Sequence, residues 1–393
     1  MATGHRRDDA VLNMVGFSLS TPARSVFGRD TRHQAASEIA ALGHRVVLVR
    51  GRSVAWVDEL IQSLTAMGIA VETIFSRAEP DLDAARAGVA AARAFSADCV
   101  VAVGGGAAID LGKALAGLIP SEGDPADYLE VINETPRTLS EPLPFVAIPT
   151  TSGTGAEATR NAVISVPERQ IKVSLRDPRL LPALTIVDPA LTGGTPKGVT
   201  LATGLDAITQ LIESYLCIRA NPVTDAFCRS AVPPAIAALN RLMQAEDPAA
   251  RDAMARASYL SGLALANSGL GIVHGLAAVI GGRGGAHGAI CGRLLPDALR
   301  INRAAVVEQS GATDRFDEVA GWLAEGLSAP NSDGIAALRR FIDANGLPGL
   351  GDFHLPEADF TEVAEAARHA SSTKGNPVTL RTDQIEAILR AAG

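Results

Sequence analysis

A chain of 393 residues is too long for one ordinary core and suits two domains. Its residues are 47% hydrophobic, 20% charged and only 4% aromatic, a globular composition with a small-residue, aliphatic core. A formal net charge of −8 and a pI near 5.5 argue against an electrostatic grip on nucleic acid or an anionic membrane.

The four cysteines, Cys99, Cys217, Cys228 and Cys291, show no CxxC or zinc-finger spacing and read as free buried thiols of a reducing cytoplasm. The first residues lack the apolar core of a signal peptide. Ala257 to Gly282 carries no charge and is long enough to span a bilayer, but Asn267, His274 and many small residues interrupt it. The expectation is one buried central helix in a soluble, cytoplasmic protein with no membrane span.

In chain order, residues 15–28 suggest an entry strand ending at Gly28, and Thr31–Leu42 a helix with Thr31 as a candidate cap. Arg45–Arg50 is a β-branched run of the buried parallel type, followed by Gly51-Arg52-Ser53 and a helix to about Met67. Strand Ala70–Phe75, helix Leu82–Phe95 and strand Asp98–Val103 continue the alternation, which predicts a Rossmann-like parallel sheet flanked by helices.

The strand at 98–103 empties into Gly104-Gly105-Gly106 and a helix from about Ala107 to Leu118. Such a turn makes either a tight connection or a phosphate cradle of N–H groups at a helix N-terminus. A strand at Phe145–Ile148 leads into Thr150-Thr151-Ser152-Gly153-Thr154-Gly155, four hydroxyls and two glycines in six residues. Hydroxyls serve as caps and turns, yet two such loops at the C-terminal edge of one sheet favour ligand binding. A small hairpin over 162–175 carries Lys172, and a last strand, Leu184–Val187, ends at Asp188-Pro189. Beyond it no β-branched runs recur. The expected domains are therefore an α/β unit, 1–189, and an all-α unit, 190–393. In the second, a helix over 222–243 should break or kink at Pro233-Pro234, amphipathic helices should cover 313–345 and 356–371, and the last helix should begin near Thr382.

The second unit opens with TGLDAITQLIESYL, residues 203–216, a helix apolar nearly all round. Asp206 and Gln210 stand one turn apart on one face and Glu213 continues the row. A carboxylate there is costly to bury unless a cation compensates it. His274 and His287 are the two histidines in apolar or glycine-rich settings. Each alone reads as a core residue or a cap, but Asp plus two His is a donor set for a catalytic divalent ion.

These residues and motifs resemble the iron-containing (group III) alcohol dehydrogenases, relatives of glycerol dehydrogenase and dehydroquinate synthase. The resemblance runs from Pro22 to Asn376-Pro377 and rests on GGGAAID (104–110), AIPTTSGTGAEATRNAVIS (147–165), TGLDAITQLIESY (203–215) and the paired VHG (273–275) and AHG (286–288). It implies a two-domain dehydrogenase with cofactor and metal in the interdomain cleft. Gly104, Gly105 and Gly106 would hold the pyrophosphate with Asp110 alongside; Thr150, Thr151 and Thr154 would line the cofactor, and Lys172 would reach its ribose. Asp206, His274 and His287 would bind Fe2+ or Zn2+, and hydride would pass between the nicotinamide and a small alcohol or aldehyde. A homodimer is compatible with the resemblance.

Three departures stand out. The fourth ligand position, usually His, is Gln210, which would bind the metal directly or orient a water. The His that many members carry four residues after His274 is Ala278, so the proton would leave by water or the cofactor ribose. The 281–286 loop looks shortened. In addition, Gly51 stands where members preferring NAD often have Asp. With Arg52 and Ser53 beside it, NADP(H) is expected over NAD(H). The alternatives are a metal-independent reductase of the maleylacetate reductase type and a non-catalytic nucleotide-binding protein. A dehydroquinate-synthase-like lyase would need a basic cluster for which the ligand-bearing segments offer only Arg283 and Arg293.

Overall fold

Runs of buried Val and Ile build the first half of the chain into one parallel sheet. A computed structural model describes residues 16–393 apart from 52, 53, 78, 131, 134, 170, 283, 284, 331 and 332. The sheet strands are β1 (Ser25–Phe27), β2 (Arg45–Arg50), β3 (Ala70–Phe75), β4 (Cys99–Gly104), β5 (Phe145–Pro149) and β8 (Leu184–Val187), in the order β1-β8-β5-β4-β2-β3. The hairpin, β6 (Asn161–Val166) and β7 (Ile171–Arg176), forms a separate antiparallel ribbon. Helices α1 (Ala35–Ala40), α2 (Trp56–Ala66), α3 (Leu82–Phe95) and α4 (Gly106–Leu118) cover the sheet. Alternate residues serve opposite faces: Val47, Val49, Val100 and Ala102 pack with α3 and α4, and Val46, Leu48, Val101 and Val103 with α1 and α2.

The chain leaves β2 for β3 on one side and later returns to place β4 on the other. That reversal opens a crevice at the carboxyl ends of β2 and β4, where open α/β sheets bind ligands. Arg50 pairs with Val103 and Gly104 with Pro149, so the loops after β2, β4 and β5 emerge side by side.

At the entry the structure is more broken than the sequence pattern suggests. Only Ser25–Phe27 is strand, and the helix expected at 31–42 is a 3-10 turn, Thr31–Gln34, running into α1. Asp30 takes the left-handed conformation at φ 64, while the Thr31 hydroxyl donates back to the Gly28 carbonyl at 2.7 Å.

The second half contains α5 (Lys197–Leu216), α6 (Pro222–Leu242), α7 (Pro248–Asn267), α8 (Ile272–Gly281), α9 (His287–Glu308), α10 (Asp314–Gly326), α11 (Gly334–Ala344), α12 (Phe360–His369) and α13 (Thr382–Ala392). Their common core draws its buried residues from Leu201 onward, whereas the cores on the sheet draw theirs from residues up to Ile186. Helix α5 lies at the centre, with every residue from Gly204 to Leu216 buried. Helix α6 runs on through Pro233 and Pro234; Val232, Ala235 and Ile236 are buried there, where it packs on α5 and α7.

The uncharged stretch is two helices, not one. Helix α7 ends at Asn267 and α8 starts at Ile272, turned by 100°. Gly269, at φ +106, makes the turn in a conformation that side chains resist. The freed N–H groups of α8 find side-chain acceptors: Ile272 donates to Asn376 Oδ1 at 3.1 Å and Val273 to Glu213 Oε1 at 2.6 Å. No single helix among the described residues is long and apolar enough to cross a membrane.

Candidate active site

The bend sets His274 in the first turn of α8, facing α5. Asp206 comes from the middle of α5, His287 opens α9, and Cys291 follows one turn later on the same face of α9. Close approach of α9 to α5 depends on Gly288 and Gly292. A Cβ on Gly288 would sit 2.5 Å from the Ala202 carbonyl oxygen, and one on Gly292 2.6 Å from Leu205 Cδ1. The four donor atoms that result lie within 4.8 Å of one another.

Asp206 Oδ1 and His274 Nε2 are 3.3 Å apart, both buried, and neither has a hydrogen-bond partner. His287 Nε2 lies 3.9 Å from the same carboxylate oxygen, and its side chain is 34% exposed, so the cluster is open on that side. Desolvation opposes the charged form of both imidazoles. Interactions with Cys291 and Asp206 prevail, raising His287 to about 9 and holding His274, helped by Glu213, well above its ordinary value. A negative pocket that draws protons onto its histidines is one a divalent cation would occupy in their place. The donors fit such an ion: two neutral-capable imidazoles and a carboxylate, with two buried polar atoms left unpartnered.

Glu213, given no role by its spacing alone, orients this site. Its Oε2 lies 2.6 Å from His274 Nδ1, and its carboxylate also accepts the N–H groups of Val273 and His274. Accepting from Nδ1–H leaves Nε2 free as a lone-pair donor toward the cluster.

On the cofactor side, the glycine turn and the hydroxyl loop interlock. Thr150 N–H donates to Gly104 O at 2.9 Å, and a Cβ on Gly106 would meet Thr154 Cγ2 at 2.7 Å. The N-terminus of α4 thus presents backbone N–H groups with Thr151 and Thr154 beside it, a geometry suited to a pyrophosphate. Asp110 is half-buried, one turn before Lys113 on α4; desolvation raises it to about 6 against the pull of the Lys113 charge. Lys172 pairs with Glu79 and lies near Gly281 at the end of α8, so it reaches across toward the helical half. Gly51 follows β2 with its N–H donating to Val103 O at 3.3 Å. Arg52, Ser53 and Arg283 lie outside the described residues. Arg293 is occupied by Asp343 and the Leu347 and Pro348 carbonyls.

Lys113, unnoticed in the sequence, holds the hydroxyl loop from below. Fully buried, its ammonium donates to Ala156 O at 2.6 Å, Thr159 Oγ1 at 2.9 Å and Asn161 O at 2.9 Å. Burial lowers it to about 8 and raises the neighbouring Glu157 to about 7. A lysine set among Leu111, Ala114, Leu115 and Ala116, one turn after Asp110 on the same helix, was the available signal.

The loop also grips the helical half. Gly155, at φ +60, abuts Gly262 of α7 so closely that a Cβ on Gly155 would lie 2.5 Å from Gly262 Cα. A Cβ on Gly262 would in turn collide with the Gly155 carbonyl oxygen, so Gly262→Ala is expected to destabilise the protein by roughly 1–3 kcal/mol. It should also raise the cofactor KM by displacing Thr154. Thermal melts with and without cofactor check this; an unshifted melting temperature would show that the contact is dispensable.

Comparison with known proteins agrees with this geometry. The description "Iron-containing alcohol dehydrogenase" fits residues 22–189, and "Fe-containing alcohol dehydrogenase family, C-terminal" fits residues 200–393. The chain belongs to the iron-containing alcohol dehydrogenase family. It is 32% identical to the NAD-dependent methanol dehydrogenase of Bacillus methanolicus over 391 residues, 94% of this chain and 98% of the relative. It is 36% identical to the 1,3-propanediol dehydrogenase of Klebsiella pneumoniae over 347 residues, 86% and 87% of the two chains. The crystal structure of a 1,3-propanediol oxidoreductase superposes with a TM-score of 0.87 at 31% identity, covering 96% of this chain and all of that one. Membership makes the chain an oxidoreductase acting on CH–OH groups with a nicotinamide cofactor.

Gln210, which the resemblance sets at a fourth ligand position, is hydrogen-bonded within the protein. Both ends of the Gln210 amide are engaged: Ser261 Oγ donates to its Oε1 at 2.6 Å, and its Nε2 donates to Thr154 O at 3.2 Å. Gln210 therefore ties α5 to α7 and to the hydroxyl loop. Cys291, read from sequence only as a buried thiol, is the residue that joins Asp206 and the histidines. Its spacing four residues after His287 was the signal, though that spacing does not say which way the face points.

Proposed function

We propose that this chain reduces small aldehydes, and oxidises the corresponding alcohols, using a divalent metal, Fe2+ or Zn2+, held by Asp206, His274 and His287. The observation that carries this is the pair of buried, unpartnered atoms, Asp206 Oδ1 and His274 Nε2, aimed at one point 3.3 Å apart. The division at residue 190 then separates a cofactor-binding unit, 1–189, from a metal-binding unit, 190–393.

When bound, the ion would supply Lewis acidity to polarise the substrate oxygen. The chain's own groups do the rest. Gly104, Gly105 and Gly106, at the start of α4, offer N–H groups to the cofactor pyrophosphate, and Thr150, Thr151 and Thr154 line its path. Lys172, paired with Glu79, would exchange it for a ribose hydroxyl, with Asp110 alongside the pyrophosphate. Glu213 keeps His274 in the tautomer whose free nitrogen faces the cluster. With Ala278 contributing no proton carrier, the transferred proton leaves through water or the cofactor ribose.

Chelation is expected to abolish reduction of an aldehyde panel, and Zn2+ or Fe2+ to restore it in step with metal content. Full activity in a metal-free preparation would instead favour a metal-independent reductase, and binding of cofactor with no turnover a nucleotide-binding protein. For the cofactor itself, Gly51 leaves the end of β2 without a carboxylate to repel a 2′-phosphate. NADPH is accordingly expected to give a higher kcat/KM than NADH. A strong preference for NADH in the same assay would overturn that choice.

A further inference from the structure

We infer that Cys291 supplies the fourth protein ligand of the metal, as a thiolate, in the place that Gln210 has vacated. The inference rests on the metal site proposed above and concerns its donor set.

Three observations lead to it. First, position: Cys291 is fully buried, one turn after His287 on the face of α9 turned to α5, and its Sγ lies 3.7 Å from His287 Nε2. Second, spacing: a tetrahedral ion with Zn–N and Zn–O of about 2.0–2.1 Å and Zn–S of about 2.3 Å sets its ligand atoms roughly 3.3–3.6 Å apart. The observed separations are 3.3 Å for His274 to Asp206, 3.9 Å for His287 to Asp206 and 3.7 Å for His287 to Cys291. Those three pairs lie within about 0.6 Å of the tetrahedral spacing, and all four donor atoms fall within 4.8 Å of one another. Third, Gln210 is committed elsewhere, its amide bonded to Ser261 and to the Thr154 carbonyl.

The donor chemistry is coherent. One carboxylate and one thiolate match the two charges of the ion, and two imidazoles complete the set without adding charge. A thiolate in place of an imidazole or amide shifts preference toward thiophilic ions, so Zn2+ and Co2+ should be favoured over Fe2+. The other cysteines have no such company: Cys99, Cys217 and Cys228 are buried thiols held protonated chiefly by burial.

The test loads the metal-free protein with Co2+ and records its absorption, alongside X-ray absorption of the Zn2+ form. The expected result is a near-ultraviolet sulfur-to-cobalt charge-transfer band and one sulfur scatterer at about 2.3 Å from zinc. Both should be lost in Cys291→Ala and Cys291→Ser and retained in Gln210→Ala. Metal content and circular dichroism are measured on every variant, so that a misfolded Cys291→Ala is replaced by Cys291→Ser. If the wild type binds metal one-to-one through nitrogen and oxygen alone, or if the band survives both Cys291 variants, this inference is wrong and the metal site stands. If the wild type binds no metal, the site itself is wrong and the inference falls with it.

Discussion

Replacing Asp206 by Ala is expected to leave the purified protein without metal and to lower kcat for aldehyde reduction by about a thousandfold or more. The magnitude follows from the several kcal/mol that a Lewis acid contributes to a developing oxyanion. Asp206 is 2% exposed, and its Oδ1 has no hydrogen-bond partner among the described residues, so this carboxylate is costly to bury without a positive charge facing it. The stability of the metal-free protein gives a second readout. Without the metal, this carboxylate faces His274 and His287, which it helps hold above their ordinary values, so metal-free Asp206→Ala should melt below metal-free wild type near neutral pH. His274→Ala should likewise lose metal and turnover. Elemental analysis, steady-state kinetics and melting curves on the same preparations check these outcomes; an active, metal-free Asp206→Ala would sink the mechanism.

The second large effect is expected at Glu213, which touches neither cofactor nor substrate. Its carboxylate takes His274 Nδ1 at 2.6 Å and caps the N-terminus of α8 through Val273 N–H at 2.6 Å. In Glu213→Gln the shape survives, but the amide presents N–H donors where the backbone and ring already donate. His274 then loses the partner that fixes its tautomer and ring plane. Metal affinity should fall by about 10–100-fold, the usual consequence of removing such a partner. Competition with a chromophoric chelator measures it. A merely structural role would lower the melting temperature and leave the affinity of the folded protein unchanged, and that outcome would refute the positioning role.

Much of this protein is readable along the chain because its signals are local. Val46–Val49 and Val100–Val103 are continuous apolar runs, which only strands buried on both faces require. The glycines at 104–106 and the hydroxyls at 150–154 follow strands directly, so sequence adjacency places them at the sheet's ligand-binding edge. Asp206 stands out because a charge in a helix apolar all round is costly wherever that helix packs. Family resemblance linked it to His274 and His287.

Other features depend on contacts between residues far apart in sequence. The 257–282 stretch reads as one helix because hydrophobicity carries no information about direction. Its 100° turn at Gly269 is held by Glu213 and Asn376, 60 and 104 residues away from the amides they accept. Lys113 is an anomaly in sequence and an anchor only once Ala156, Thr159 and Asn161 converge on it. Gln210 and Cys291 show the division most clearly. Local spacing put Gln210 one turn from Asp206, and nothing in that spacing reveals that Ser261 and the Thr154 carbonyl occupy its amide.

By itself, then, the sequence determined the alternation of strands and helices, the two loops at the sheet edge and the need for a cation near Asp206. Each follows from the periodicity of burial or from the cost of burying charge. Only the tertiary structure decided which side chains gather around Asp206. Helix α9 approaches α5 across Gly288 and Gly292, and that packing turns His287 and Cys291 toward Asp206. A ligand set is a matter of a few ångströms between separate helices, and close packing sets those distances.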